Sequence, residues 1–285
     1  MGFRLSEKLI DPKSPERRPR RAAYALPTLF TAGNIFFGFL AIMKSIEGAI
    51  HATARGYVKV PEFELAAQLI GIAVAFDGLD GRIARMTNTV SDFGRELDSL
   101  ADVITFGIAP AVLGFAWGIF FIDHTMNLEL RGQLLQGGYF LAFVYLLCGA
   151  ARLARFNVQT NPVPKNPGRP NRKYFVGLPI PAAAAFVASV VYASNSVPIG
   201  NWLVGVLWLG VMGLLSFLMV STWRYRSFKD LNLLEPKSPL SLILLGSLIF
   251  LIYQYSQPAL LAMAITYVAS GILVRLGGLF RHGNS

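Results

Sequence analysis

Cysteine and histidine are almost absent from this sequence. Cys148 stands alone, and His51, His124 and His282 are the only histidines among 285 residues. A lone cysteine rules out an intrachain disulfide and any cysteine-based metal centre. The histidines fall in expected loops or the tail and show no ligand spacing, so a zinc site of nitrogen and sulfur donors has nothing to build on. Charge is scarce too. Only 15% of residues are charged while 54% are hydrophobic, a balance that excludes a soluble enzyme and points to a membrane protein of many spans. The chain has no internal repeat or low-complexity tract, and no cleavage-type small-residue site follows its first apolar run, so no signal peptide is expected.

What the chain has instead is long apolar segments. They run roughly over 25–46, 63–86, 92–122, 133–156, 178–194, 202–222, 239–255 and 258–276, each long enough to span or nearly span a hydrocarbon core of about 30 Å. The expectation is an all-α membrane bundle of about eight transmembrane helices. The third run is overlong, so part of it should project beyond the hydrocarbon. Small residues, among them Ala182 to Ala185, Gly205, Gly210 and Gly213, allow close helix packing.

Loop charge orients the bundle. With the N-terminus in the cytosol, 22 of the 26 Lys and Arg residues fall inside, leaving Lys44, Arg55, Lys59 and Arg131 outside. Both termini are then cytosolic. The net charge of +10 belongs to that face, where it attracts anionic lipid and not nucleic acid. Residues 1–23 read as a basic juxtamembrane segment.

One stretch does not fit a plain bundle. Within residues 77–102, Asp77 and Asp80 lie three apart and Asp98 and Asp102 four apart. On a helix, each spacing puts both carboxylates on one face. The polar stretch between Met86 and Phe93 suits a turn, so two antiparallel helices would aim four acids into one cleft. A carboxylate at the centre of a bilayer costs about 2.5–3.5 kcal/mol even on the lenient insertion scale, and four together repel. Separate interfacial acids, or acids paired with Arg82, Arg85 and Arg95, would relieve the charge but leave the shared facing unexplained. Divalent cations explain both. Hard oxygen donors without nitrogen or sulfur suit Mg²⁺ or Mn²⁺, and four acids suit a two-ion site. Gly81 shares a face with Asp77 and Gly94 with Asp98, leaving room for a ligand against the backbone. Arg85, one turn after Gly81, offers a guanidinium fork to phosphate. This cleft falls at the cytosolic ends of its helices, facing the nucleotide pool.

Asp77-x-x-Asp80-Gly81-x-x-Ala84-Arg85, eight residues, then Gly94-x-x-x-Asp98-x-x-x-Asp102 resembles the signature of the CDP-alcohol phosphotransferases at every defined position. The resemblance implies that Asp77, Asp80, Asp98 and Asp102 hold two divalent ions, with Asp102 also a candidate base. It further implies that Gly81, Ala84, Arg85, Thr87 and Gly94 line the site for CDP and its diphosphate. In that family a Pro-x-x-x-Thr-x-x-Asn element helps hold the nucleotide. Here it reads Pro27 to Asn34, which adds Thr31 and Asn34. The family often has Asn directly after the proline, where this chain has Thr28. Taken alone, Thr31 and Asn34 read equally as interhelical hydrogen-bonding groups.

Two later stretches, Gly177-Leu178-Pro179-Ile180-Pro181 and Met219-Val220-Ser221 running on to Tyr225-x-Ser227-Phe228-Lys229, are similar to segments of the membrane-embedded phosphatidylserine synthases within this family. Taken bottom-up, the first is a helix-start signal and the second a membrane-surface anchor. The resemblance spans about residues 24–230, leaving 231–285 as additional helices of generic character. It implies CDP-diacylglycerol as donor, L-serine as acceptor, CMP as product and a homodimer in the cell inner membrane. Arg152 and Arg155, three apart at the end of the fourth run, are either interfacial arginines or, with Lys229, an anion site for the acceptor. The spacing favours one shared target. Another acceptor (glycerol 3-phosphate, inositol phosphate or choline) stays open at this stage, as does an ion-coupled transporter that uses the acids as a relay.

Overall fold

The computed structural model describes residues 21–55, 59–86, 92–122, 127–160, 174–226, 246–247 and 250–282. Side chains at 21–28, 80–86 and a few other element ends lie outside that description. The all-α membrane architecture holds. The helices are α1 Arg21–Arg55, α2 Pro61–Met86, α3 Asp92–Asp102, α4 Ala109–Gly118, α5 Leu128–Thr160, α6 Ile180–Ala193, α7 Trp202–Val220 and α8 Ser256–His282. Two short strands, β1 Tyr174–Val176 and β2 Arg224–Arg226, pair antiparallel with Phe175 opposite Tyr225.

Five stretches among the described residues are long and apolar enough to cross a membrane: Leu29–Ala54, Phe93–Gly118, Leu128–Val158, Trp202–Val220 and Ser256–Leu273. The expected count of about eight is therefore not reached on these criteria. α2 carries too much charge along its 26 residues, and α6 is only 14 residues long. The expected run at 239–255 lies mostly outside the described residues.

Local chemistry sets several of the helix starts. Pro61 opens α2, where a missing N–H costs nothing, and Glu62 and Glu64 in its first turn meet the positive end of the helix dipole. Asn201 caps α7 by accepting the Leu203 N–H at 2.9 Å. Gly177 adopts φ +80°, and a Cβ there would meet backbone and side-chain atoms at once. It makes the sharp turn between β1 and α6, with Leu178 N–H donating to the Leu218 carbonyl at 2.9 Å.

The overlong third run is resolved by a change of helix type. After α3, residues Val103–Ile108 form a π-helical turn, and α4 follows directly. Pro110 has no N–H to offer the Phe106 carbonyl four residues back. The hydroxyl of Tyr145 on α5 donates to that carbonyl instead, at 3.3 Å. Thr105 in the same turn donates its hydroxyl to the Asn34 carbonyl of α1 at 3.0 Å. Gly38, one turn further along α1, allows this approach, because a Cβ there would fall 2.7 Å from Thr105 Cα. The π turn is thus pinned from two sides.

Around this pivot α1 packs along α2, α2 along α6, and α5 along α7. The core is one continuous cluster built from Phe63, Ile70, Phe106, Leu113, Leu178, Val187, Leu215 and their neighbours. Trp208 on α7 donates its indole N–H to the Gly114 carbonyl at 2.8 Å, and Trp117 does the same to Val197 at 2.8 Å. Burying the indole nitrogens requires such partners. Many large apolar side chains on α1, α5, α7 and α8 stay exposed, among them Phe36, Phe140, Leu207 and Leu273, as expected of helices that meet lipid. The chain is an integral membrane protein.

Candidate active site

The acids converge. Asp77, past the midpoint of α2, and the pair Asp98 and Asp102 on α3 bring carboxylate oxygens within 4.8 Å of one another. Asp98 and Asp102 lie one turn apart on one face of α3, and α1 flanks that helix. Asp77 and Asp98 are half-buried, whereas Asp102, the last residue before the π turn, is buried. Three acidic oxygens in one place, without nitrogen or sulfur, form a donor set that fits a hard divalent cation.

Asp80, Gly81, Ala84 and Arg85 lie on α2, but their side chains are outside the described residues. Thr87 and Lys229 are outside altogether. Gly94 sits at the start of α3, one turn before Asp98. On α1, Thr31 and Asn34 are both buried. The Asn34 side-chain carbonyl oxygen has no hydrogen-bond partner among the described residues, while its backbone carbonyl receives Thr105. Asn34 is thus tied through Thr105 to the π turn that follows Asp102.

The two arginines do not share a target, contrary to the expectation from their spacing. Arg155 donates to three backbone carbonyls, Val220 at 3.0 Å, Val176 at 3.1 Å and Ser221 at 3.5 Å. Those carbonyls come from the end of β1 and the end of α7, where helix geometry leaves acceptors open. Arg155 is a clamp on the backbone. Arg152 instead is buried, at 8% exposure, within electrostatic reach of Asp102 and Tyr267. Its Nε has no hydrogen-bond partner among the described residues. Asn157, further along α5, donates to Ser99 Oγ at 2.8 Å and ties this helix to the acid-bearing α3.

The family model for CDP-alcohol phosphatidyltransferases matches residues 24–215. The chain belongs to this family. It is 36% identical over 214 residues to a CDP-diacylglycerol–serine O-phosphatidyltransferase of Helicobacter pylori strain J99, covering 75% of this chain and 77% of that protein. It is 31% identical over 204 residues to the Bacillus subtilis protein of the same name, covering 72% and 91%. An archaetidylserine synthase of Methanothermobacter thermautotrophicus is 38% identical over 167 residues, covering 58% and 57%.

A second acidic group, which the sequence spacing did not reveal, lies at the far end of α1 and the start of α2. Glu47, His51 and Glu62 also bring donor atoms within 4.8 Å of one another. His51 is therefore not the isolated loop histidine that its sequence position suggested. Here the side chains answer one another: His51 Nδ1 meets Glu62 Oε1 at 2.6 Å, and Lys44 Nζ meets Glu47 Oε2 at 2.6 Å. Gly48 lets the two helices close at this point, since a Cβ would sit 2.8 Å from the Phe63 ring. This group is a helix-to-helix fastening.

Proposed function

We propose that this protein transfers a phosphatidyl group from CDP-diacylglycerol to L-serine, giving phosphatidylserine and CMP. The observation that carries the reading is the convergence of Asp77, Asp98 and Asp102 beside the buried Arg152. It occurs in a chain similar over most of its length to proteins named for that reaction. Residues 24–230 form the catalytic membrane domain, with 231–285 as additional C-terminal helices and a short tail.

Asp77, Asp80 and Asp98 would hold the divalent metal, Mg²⁺ or Mn²⁺, with Asp102 contributing a ligand oxygen or acting as base. Such an ion would supply positive charge to offset that of the diphosphate and of the leaving CMP. The remaining roles belong to the chain. Gly81 and Gly94 leave the backbone open to the diphosphate, and Arg85, Thr31 and Asn34 orient the nucleotide. Arg152 takes the carboxylate of serine, a charge match that also satisfies its buried Nε. Asp102 belongs to the acid cluster and lies within electrostatic reach of Arg152, so the serine hydroxyl is assigned to it. It accepts the hydroxyl proton as the serine oxygen bonds to the phosphorus carrying the diacylglycerol. The bond from that phosphorus to the CMP oxygen breaks, and CMP leaves with the electron pair. The lipid tails enter sideways from the bilayer, and the site faces the cytosol, as the distribution of Lys and Arg favours.

The test is an acceptor panel in detergent or liposomes. CDP-diacylglycerol with a labelled phosphatidyl group is supplied with serine, glycerol 3-phosphate, inositol phosphate or choline, with Mg²⁺ and with Mn²⁺. Labelled phosphatidylserine and stoichiometric CMP from serine alone is the expected result. Equal or better transfer to a phosphorylated acceptor would replace serine with that compound.

A further inference from the structure

Arg152 belongs to a polar row with Asp102, Tyr267 and Tyr225, all of them buried except the half-buried Tyr267. Arg152 on α5 is within electrostatic reach of Tyr267 on α8, and Tyr267 of Tyr225 on β2. The two tyrosine rings lie 5.7 Å apart between centroids, tilted by 42°. With Asp102, the row draws on α3, α5, α8 and β2.

Two members of this row carry unanswered polar atoms. Arg152 Nε and the Tyr225 hydroxyl are buried without a hydrogen-bond partner among the described residues. Tyr225 is fully buried, at 0% exposure. A hydroxyl left so costs about 1–3 kcal/mol. Gly271 on α8 is what admits the ring, because a Cβ there would overlap it. Burial pushes the Tyr225 phenol up to about 12, so the group stays neutral at physiological pH. A neutral phenol presents a lone pair to a cation, and its ring presents a negative face.

We propose that Tyr225 and Tyr267 form the subsite for the ammonium group of the amino-acid acceptor, completing a pocket whose carboxylate end is Arg152. This inference rests on the serine reading. It places two specificity residues beyond residue 215, where the family match ends, and one of them on a C-terminal helix that the sequence left without a role. A zwitterion then spans the row. Its hydroxyl lies at Asp102, its carboxylate at Arg152 and its ammonium at the tyrosine pair. Acceptors without an ammonium group leave Tyr225 unanswered, and that unmet hydroxyl discriminates against them.

The experiment uses the full-length enzyme in detergent with CDP-diacylglycerol and Mn²⁺, comparing Tyr225→Phe and Tyr267→Phe with the parent. Tyr225→Phe is expected to raise the serine KM about ten-fold or more, the loss of one hydrogen bond to a charged group. The KM for CDP-diacylglycerol and the Mn²⁺ needed for half-activation should stay at parent values. Ethanolamine keeps the hydroxyl and ammonium of serine, and 3-hydroxypropanoate keeps the hydroxyl and carboxylate. Tyr225→Phe should weaken competition by the first and spare the second. Melting temperatures of both variants report folding independently. An unchanged serine KM in both variants overturns the proposal, as does a parallel rise in the CDP-diacylglycerol KM, loss confined to 3-hydroxypropanoate, or no competition by ethanolamine with the parent. Turnover of serine by the parent enzyme decides the acceptor itself, so failure of the tyrosine subsite and failure of the serine reading give different results.

Discussion

Thr105 donates its side-chain hydroxyl to the Asn34 carbonyl across 3.0 Å, and both residues are buried. The bond fastens α1 to the turn that begins directly after Asp102, so the position of the acid row depends on it. Thr105→Val keeps the shape and removes the donor. We expect a stability loss of about 1 kcal/mol, read as a fall of about 2–4 °C in melting temperature, with a lower kcat and near-parental Mn²⁺ dependence.

Asp102→Asn retains the size of the side chain but cannot accept the acceptor's proton. General-base contributions run to about 10²–10⁴-fold, and CMP release with serine should fall by that order while the protein stays folded by circular dichroism. Near-normal turnover would remove Asp102 from the chemistry.

Chelation by EDTA should abolish CMP release, and Mg²⁺ or Mn²⁺ should restore it. Asp77→Asn replaces one charged oxygen of the trio with a neutral one, so its rescue should need about ten-fold more metal or greater, consistent with a charged ligand worth well over 1 kcal/mol. A rescue curve that overlays the parent's would place Asp77 outside the metal's reach.

Arg155 and Arg152 should separate cleanly. Arg155→Ala releases three carbonyls from a charged donor, and we expect destabilisation of about 1.5–3 kcal/mol with the serine KM of the folded fraction unmoved. Arg152→Ala should raise the serine KM about ten- to a hundred-fold, the same energy read as binding. A serine KM that rises with Arg155→Ala and holds with Arg152→Ala would reverse the two roles.

His51→Ala cuts the His51–Glu62 contact at the opposite end of α1 from the acids. Its melting temperature should fall by a few degrees, about 1 kcal/mol for a partly buried hydrogen bond. CMP release per folded enzyme should match the parent, which a comparison of initial rates at fixed Mn²⁺ will show.

What the sequence made legible was local. Spacings of three and four between acids translate directly into shared helix faces, so Asp77, Asp80, Asp98 and Asp102 read as one group; the structure brings Asp77, Asp98 and Asp102 together, and the Asp80 side chain lies outside the described residues. The excess length of the third apolar run was readable too, though not its cause. A π turn leaves no periodic mark of its own, because its six residues Val103–Ile108 are apolar in any helix type. Long-range pairings were invisible for a different reason. Arg155 finds carbonyls at 176, 220 and 221, and a backbone acceptor has no residue-type signature. His51 and Glu62 meet across a connection of eleven positions that no ligand-spacing rule covers. Tyr267 was hidden because an aromatic residue in an apolar helix looks like packing, and Tyr225 because it stood in a stretch that reads as a membrane-surface anchor.

The π turn has one more consequence. Each residue of an α-helix advances the next by about 100°, so the wider turn resets the bearing of everything that follows it. A helix of uniform winding through 92–118 would have to point its apolar surface wherever the acids dictated. With the bearing reset at 103–108, α3 can aim Asp98 and Asp102 at polar chemistry while α4 turns Leu113 and Trp117 into oil-like packing. Removing a single residue from that turn would leave every side chain chemically intact and still misdirect one half of the segment relative to the other.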